Sequence, residues 1–262
     1  MKFGMPVMVE LKDIDECVKL CAESGLDFVE INMSFPQYNY HNLSIPHLRE
    51  LKEKYGIEYT IHADELLNPF DFNWDVSECY FNVMKGTIRV AKALDMPIIN
   101  IHLLKGVYTT LTDRVVYLND EYEKEYLNSV SRFVEMCEEE IGDSALKICI
   151  ENVDSNPFTP SQKKALPIFL ASSSFGLTLD TGHFLALNRS DAEVFDSYHD
   201  KVFHMHLHDS DGKSAHLPLG SGLLNTQKAL DFLTRGATCL VEVKDPDGLR
   251  ASVKQLKNIG KM

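Results

Sequence analysis

The chain has 262 residues, of which 44% are hydrophobic and 25% charged, proportions that exclude a disordered or fibrous protein. Its length suffices for one large domain with a sizeable core. The formal net charge is −13 at pH 7, which disfavours unspecific attraction to the phosphates of nucleic acid.

The six cysteines form no Cys-x-x-Cys pair, which predicts buried free thiols in a reducing compartment. The N-terminal stretch lacks the long apolar run and small-residue cleavage site of a signal peptide. No segment approaches the run of about 18 apolar residues that a membrane span needs. We therefore expect a cytoplasmic protein without a membrane partner.

Short apolar runs alternate with longer amphipathic ones along the chain. The predicted strands cover residues 3–9, 28–33, 58–63, 98–103, 147–153, 175–180, 202–209 and 237–243. The predicted helices cover about 13–24, 45–56, 76–94, 120–141, 161–172, 190–198, 224–234 and 247–258.

Strict alternation of strands and helices implies a parallel sheet with helices outside it. Eight units in this length match a (β/α)8 barrel. A doubly wound open sheet usually has a glycine-rich turn after its first strand, and this sequence has none. We predict an α/β protein with one (β/α)8 TIM barrel as a single domain over residues 1–262.

Several predicted strands end in residue types that bind metals. A lone histidine there is usually a satisfied polar residue, but all strand ends of a barrel meet at one mouth. Buried carboxylates must be paired or bind a metal. A mixed set of Glu, Asp and His suits Mn²⁺, Zn²⁺, Co²⁺ or Mg²⁺. The residues concerned are His62, His102, Glu151, Asp180, His183, His206 and Glu242.

The seventh strand carries His204, His206 and His208 on one face, because side chains alternate along a strand. They should lie at different depths in the barrel. We assign His206 to the metal, and expect core or supporting roles for His204 and His208.

The order and spacing of these segments resemble the xylose isomerase-like barrel superfamily, which includes sugar epimerases, isomerases, dehydratases and endonuclease IV. The resemblance covers nearly the whole chain. It is carried by the segments IHADELLNP, NIHLLKG, CIENV, LTLDTGH, HMHLHDSDG, HLPLGSG and LVEV.

In the sugar isomerase and epimerase branch, the resemblance implies one divalent metal held by Glu151, Asp180, His206 and Glu242. Glu151 and Glu242 would be catalytic and exchange a proton on a substrate carbon through an enediolate. His183 would contact substrate oxygens. The substrate would be a sugar, a sugar phosphate or a polyol, acted on by an isomerase, epimerase or related dehydratase.

The alternative is an endonuclease IV-like zinc enzyme that cleaves DNA at abasic sites. That resemblance implies a first zinc at His62, His102 and Glu151, and a third zinc at His183 and His216. Ser214 stands where that branch has an aspartate, which puts the third zinc in doubt. A second or third zinc, or substrate binding, is therefore the expectation for these histidines.

Two aspartates, Asp209 and Asp211, are candidates to replace the carboxylate missing at Ser214. The chain also departs from ketose epimerases, because Gly212 occupies the position of their arginine six residues after the metal histidine. Ketose 3-epimerase specificity is therefore not carried over. A third hypothesis is a non-enzymatic barrel that retains the metal site.

The predicted mouth loops, 34–42, 64–75 and 103–114, are aromatic and poor in positive charge. They favour a small carbohydrate over nucleic acid as the partner. Their aromatic residues either form a lid over the ligand or pack within the loops. Related barrels are commonly homo-oligomers, either dimers or tetramers, and the sequence leaves the oligomeric state open. The aromatic residues are Phe35, Tyr38, Tyr40, Phe70, Phe72, Trp74 and Tyr108.

Overall fold

Eight parallel strands close into a barrel in the computed structural model, which describes residues 1–153, 157–234 and 236–262. Each strand pairs with its neighbours in the chain, and the last pairs with the first. The predicted TIM barrel is confirmed. The strands are β1 (Lys2–Pro6), β2 (Phe28–Asn32), β3 (Glu58–His62), β4 (Ile98–His102), β5 (Lys147–Glu151), β6 (Phe175–Asp180), β7 (Val202–Leu207) and β8 (Thr238–Val241).

Helices surround the barrel. They are α1 (Ile14–Ser24), α2 (Ile45–Tyr55), α3 (Trp74–Ala93), α4 (Leu118–Glu121), α5 (Glu123–Ile141), α6 (Pro160–Ala171), α7 (Thr181–Ala186), α8 (Ala192–Ser197), α9 (Thr226–Phe232) and α10 (Pro246–Asn258). Single 3-10 turns cover Pro36–Tyr38 and His199–Lys201. Among the described residues, no helix combines the length and apolar character needed to cross a lipid bilayer.

Local signals explain where the helices begin and end. The Asp13 carboxylate accepts the backbone N–H of Glu16 at the start of α1, and Gly25 ends that helix at a φ of 75°. Helix α3 begins two residues before its prediction because the Asn73 side chain caps it. At the mouth, Asp180 ends β6 and also caps α7, where its carboxylate accepts the N–H of His183.

The structure corrects several predicted boundaries. The predicted strand over 202–209 ends at Leu207, since Asp209 instead forms an isolated bridge with Leu217. A short α7 directly after β6 was not predicted, and the helix predicted over 190–198 is only the short α8. The loop after β4 contains an antiparallel hairpin of Tyr108–Thr110 and Val115–Tyr117, where only a loop was expected.

The core lies inside the barrel and between the strands and helices. In the outer layer, Phe133 of α5 is fully buried, and its ring packs edge-on against Phe70, Phe81 and Phe175. All six cysteines are free; five are buried, and Cys79 on α3 is exposed. Burial raises the pKa of the thiols of Cys137 and Cys149.

Candidate metal centre and active site

Four side chains converge at the C-terminal mouth of the barrel. Glu151 and Asp180 are the last residues of β5 and β6, and His206 of β7 pairs in register with Asp180. Glu242 follows β8 directly, and its N–H donates to the carbonyl of Leu207. One ligand atom from each of the four lies within 4.8 Å of the others. The structure thus brings the predicted metal set together.

The geometry of this set fits a cation. His206 Nδ1 lies 3.0 Å from Glu242 Oε2, 3.3 Å from Glu151 Oε1 and 3.8 Å from Asp180 Oδ2. Both His206 Nδ1 and Glu242 Oε2 are buried, and neither has a hydrogen-bond partner among the residues that the structure describes. Three buried carboxylates and unpartnered donor atoms are costly unless a positive charge compensates them. The mixed oxygen and nitrogen donors suit a divalent metal.

The electrostatic field of the cluster is evident at His206. Burial alone would lower its pKa, yet Glu151, Glu242 and Glu30 together raise the pKa of His206 well above its usual value. Conversely, burial would raise the pKa of Glu151, but His206 and His102 hold it well below its usual value. The cluster therefore favours positive charge at its centre.

A second donor set shares Glu151 with the first. His62 Nε2 and His102 Nε2 lie 3.2 Å apart, and they are 3.6 and 3.4 Å from Glu151 Oε2. These three residues again bring one ligand atom each within 4.8 Å. Asn100 of β4 donates its side-chain N–H to the same oxygen of Glu151, which fixes the carboxylate between the two sets.

A third group contains three histidines, His183, His208 and His216, with ligand atoms within 4.8 Å of one another. His183 Nδ1 lies 3.4 Å from Asp180 Oδ2. His208 is differently engaged: its Nδ1 accepts the backbone N–H of His216 at 2.7 Å, so its Nε2–H donates to Asp180 Oδ2 at 2.9 Å. His208 therefore supports Asp180, as expected for a supporting residue.

The two aspartates considered as replacements at Ser214 have other partners. Asp209 is buried and accepts four backbone N–H groups, one each from Ser210, Gly220, Gly222 and Leu224. Asp211 is exposed and accepts the N–H groups of Lys213 and Ser214. Both carboxylates thus organise the loop after β7, and the suggested replacement is not supported.

Sequence reasoning missed Glu30, which lies in the middle of β2 and is only 2% exposed. Thr60 donates its hydroxyl to Glu30 Oε2 at 2.9 Å. Glu30 Oε1 lies 3.2 Å from His206 Nε2, and Oε2 lies 3.2 Å from His204 Nε2. Burial would raise the pKa of Glu30, but His206 and His204 lower it. A carboxylate inside the apolar run FVEINM was the available signal.

Asn152 and Lys244 were also missed. The Asn152 side chain accepts the N–H of Asp180 and donates to its carbonyl, which joins the ends of β5 and β6. Lys244 Nζ donates to Glu242 Oε1 at 2.8 Å. Each follows a predicted ligand closely in the sequence, but its residue type alone did not reveal the contact.

A cavity of about 350 Å³ opens at the mouth. Lys244 lines it together with six of the predicted site residues, His62, His102, Glu151, His183, His216 and Glu242. Polar groups therefore surround this chamber, whereas Asp180 and His206 are fully buried. The dimensions match a small ligand.

The aromatic residues of the mouth loops mainly pack within the protein. Tyr38 and Phe70 are buried, and the Arg132 guanidinium carbon lies 4.1 Å from the centroid of the Trp74 ring. Phe35 and Tyr40 pack against the core. Of the seven, Tyr108 lines a cavity beside the mouth. Loop packing, rather than a common lid, accounts for most of the set.

Comparison with known proteins places these features in context. The chain is 27% identical over 220 residues to an uncharacterised protein of Methanocaldococcus jannaschii, covering 80% of each. It resembles the solved structure of a D-tagatose 3-epimerase-like protein, with a TM-score of 0.79, 25% identity and coverage of 98% of this chain and 96% of that one. It also resembles zinc-bound IolI, with a TM-score of 0.73, 19% identity and coverage of 98% and 96%.

The sequence profile of one protein family matches residues 18–259, which is nearly the whole barrel. The residues that converge at the mouth come from the same strand ends on which the resemblance was based. The chain belongs to the xylose isomerase-like TIM barrel family.

Proposed function

We propose that the protein is a metal-dependent isomerase or epimerase, or a related dehydratase, that acts on a sugar, a sugar phosphate or a polyol. The main support is a pair of buried glutamates, Glu151 and Glu242, which each have a carboxylate oxygen within 3.3 Å of His206 Nδ1. The D-tagatose 3-epimerase-like neighbour supports a carbohydrate as substrate.

Glu151, Asp180, His206 and Glu242 would hold one divalent ion, and the zinc of the IolI neighbour supports this assignment. Such an ion supplies Lewis-acid stabilisation of the negative charge that develops on substrate oxygens. His62 and His102 with Glu151, and His183 with His216, are candidates for a further zinc or for substrate binding.

The two glutamates would carry the proton chemistry. One carboxylate removes a proton from the carbon beside a carbonyl group, which gives an enediolate. The other returns a proton to the opposite face for epimerisation, or to the neighbouring carbon for isomerisation. Burial of both groups limits the access of water, which strengthens electrostatic interactions with the reacting atoms.

The remaining cavity residues would position the substrate. Lys244 beside Glu242 Oε1 can donate to a substrate oxygen, and His216 Nδ1 lies 3.7 Å from the same carboxylate oxygen. His62, His102 and His183 offer further ring nitrogens around the chamber. These groups suit the hydroxyl and carbonyl oxygens of a sugar or polyol.

The test is proton exchange with solvent. The metal-loaded protein is incubated in D₂O with ketoses, aldoses and inososes, and deuterium on carbon is detected by mass spectrometry. Glu151→Gln and Glu242→Gln should each reduce exchange by at least about a thousandfold, since ligation and proton transfer both depend on the carboxylate. Glu58→Gln is the matched control, because Glu58 begins β3 at the opposite end of the barrel.

Elemental analysis of the purified protein gives the metal stoichiometry. About one ion per chain, lost in Asp180→Asn, is the expected result. Undiminished exchange after removal of the metal would overturn the proposal. Two or three zinc ions with cleavage of abasic DNA would favour the endonuclease alternative instead.

A further inference from the structure

We infer that the substrate carries an apolar group next to its carbohydrate part, and that this group binds in a second cavity beside the mouth. This inference rests on the proposed function, because it specifies the substrate class of the same site. The second cavity has a volume of about 510 Å³ and lies between the loops that follow β3 and β4.

The chemical character of the two cavities differs. The mouth chamber is lined by histidines, glutamates and Lys244. The second cavity is lined mostly by apolar side chains, including Leu66, Leu103, Leu104, Val107, Tyr108 and Val153. Apolar surface of this kind selects an apolar ligand group, since removing both from water is favourable.

The two cavities adjoin each other, because Leu66, Leu104 and Val153 line both of them. One ligand that extends past these side chains would occupy both. This shared wall is the reason to assign the second cavity to the substrate rather than to an unrelated molecule. A simple hexose would fill the polar chamber and leave the apolar one to water. An aryl or alkyl derivative of a sugar or polyol would fill both.

Contacts within the hairpin after β4 order one wall of the second cavity. Leu118 donates its N–H to the carbonyl of Val107, and the ring centroids of Tyr108 and Tyr117 lie 6.0 Å apart across the hairpin. At the turn before it, Gly106 has a φ of 75°, and a Cβ there would lie 2.8 Å from the Asn119 side chain. These contacts hold the apolar side chains in place.

Exposure of these apolar side chains supports ligand binding. Leu66 is 70% exposed, Val107 56% and Tyr108 59%. Grouped exposed apolar residues beside a polar chamber are typical of binding sites. A second copy of the chain covering this face is the competing explanation, and the experiment below distinguishes it.

The first measurement is a fluorescence titration with 8-anilinonaphthalene-1-sulfonate, an aromatic probe that needs neither metal nor carbohydrate. We expect one saturable site per chain, weakened at least tenfold by Val107→Asp. Val115→Asp is the matched control, because Val115 lies on the same hairpin, is 50% exposed and does not line the cavity. It should change the dissociation constant less than twofold.

The second measurement tests whether one ligand occupies both cavities. Hydroxamates present two neighbouring oxygens, like a carbonyl and its adjacent hydroxyl group. On the zinc-loaded protein, phenyl-substituted alkyl hydroxamates with one to four methylene groups are compared with acetohydroxamate by calorimetry. The best of them should bind at least tenfold more tightly than acetohydroxamate, and Val107→Asp, but not Val115→Asp, should remove this gain.

The outcomes separate the two proposals. Failure of acetohydroxamate to bind, or binding unchanged by Glu151→Gln, counts against the proposed function, while the fluorescence titration still decides the cavity. The apolar-group inference would be overturned if the phenyl-substituted hydroxamates bound no more tightly than acetohydroxamate. It would also be overturned if Val107→Asp did not change the dissociation constant of the fluorescent probe. Equal loss in both hairpin variants, with dissociation of an oligomer in sedimentation, would also overturn it and identify a subunit interface.

Discussion

Glu30 offers a test of the proposed metal site, because its carboxylate contacts the ring of His206. Its carboxylate lies 3.2 Å from His206 Nε2, on the side of the ring opposite to Nδ1, which faces Glu151 and Glu242. A carboxylate behind a ligating histidine orients the ring and increases its basicity. Glu30→Gln keeps the size of the side chain and an oxygen for the Thr60 hydroxyl, but removes the charge. We predict weaker metal binding without loss of the fold.

Loss of such a supporting partner typically weakens metal affinity by about 10- to 100-fold, and we expect an effect of this size for Glu30→Gln. At a metal concentration of 100 times the wild-type dissociation constant, binding stabilises the native protein by about 2.7 kcal/mol. The variant would gain only about 0.4–1.4 kcal/mol under the same conditions. A change of 1 kcal/mol shifts Tm by about 2–4 °C in a chain of this size. The metal-induced rise in Tm should therefore be smaller in Glu30→Gln than in the wild type by roughly 3 °C or more.

Calorimetric titration of the metal-free protein with Zn²⁺ and Mn²⁺ gives the dissociation constants, and thermal unfolding gives Tm with and without metal. Comparing the metal-induced shifts removes any effect of the substitution on the metal-free protein. Glu58→Gln, at the far end of β3 and partly exposed, is the control for a Glu-to-Gln change. Equal metal affinities in Glu30→Gln and the wild type would refute the reasoning.

Two further predictions concern stability. Asp209→Asn replaces one oxygen that accepts two backbone N–H groups, which should lower the free energy of unfolding by about 3 kcal/mol and Tm by about 6–12 °C. Asp211→Asn is the control and should leave Tm unchanged. Equal Tm values in the two variants would contradict this prediction. The hydrogen bond from His47 to Asp15 raises the pKa of His47. That pair therefore stabilises the fold below pH of about 6.5, the unfolded pKa, and this contribution is lost as pH rises through the folded pKa. NMR titration of wild type and Asp15→Asn measures it, and a His47 pKa that does not fall in the variant would disagree.

The barrel and its mouth were predictable because two simple regularities hold along the whole chain. Buried parallel strands are apolar, so a His, Glu or Asp at a strand end is conspicuous, as at Glu151 and Asp180. The barrel then brings distant strand ends together without any further information. Local capping residues such as Asp13 and Gly25 also fix the limits of α1 from sequence alone.

Other features depend on contacts that no local pattern reveals. Glu30 was passed over because it lies within an apolar run, and only the closed barrel places it behind His206. Phe70 was grouped with the mouth aromatics by its position in a loop, but it packs into the core beside Phe133. Asp209 resembled a metal ligand by its residue type, and only the folded loop supplies its four N–H donors.

The positions of the six cysteines allow the unfolding of this barrel to be followed by chemical labelling. Cys79 is exposed, so we expect it to react first with a thiol reagent. The buried sulfurs on α1, α5, β5 and β8 should react only when their surroundings open. Because Cys239 lies beside Phe3, where β8 closes against β1, and Cys149 lies far around the ring, their order of labelling identifies which seam separates first. Peptide mass spectrometry over time would thus trace the unfolding sequence of the native chain without any engineered reporter.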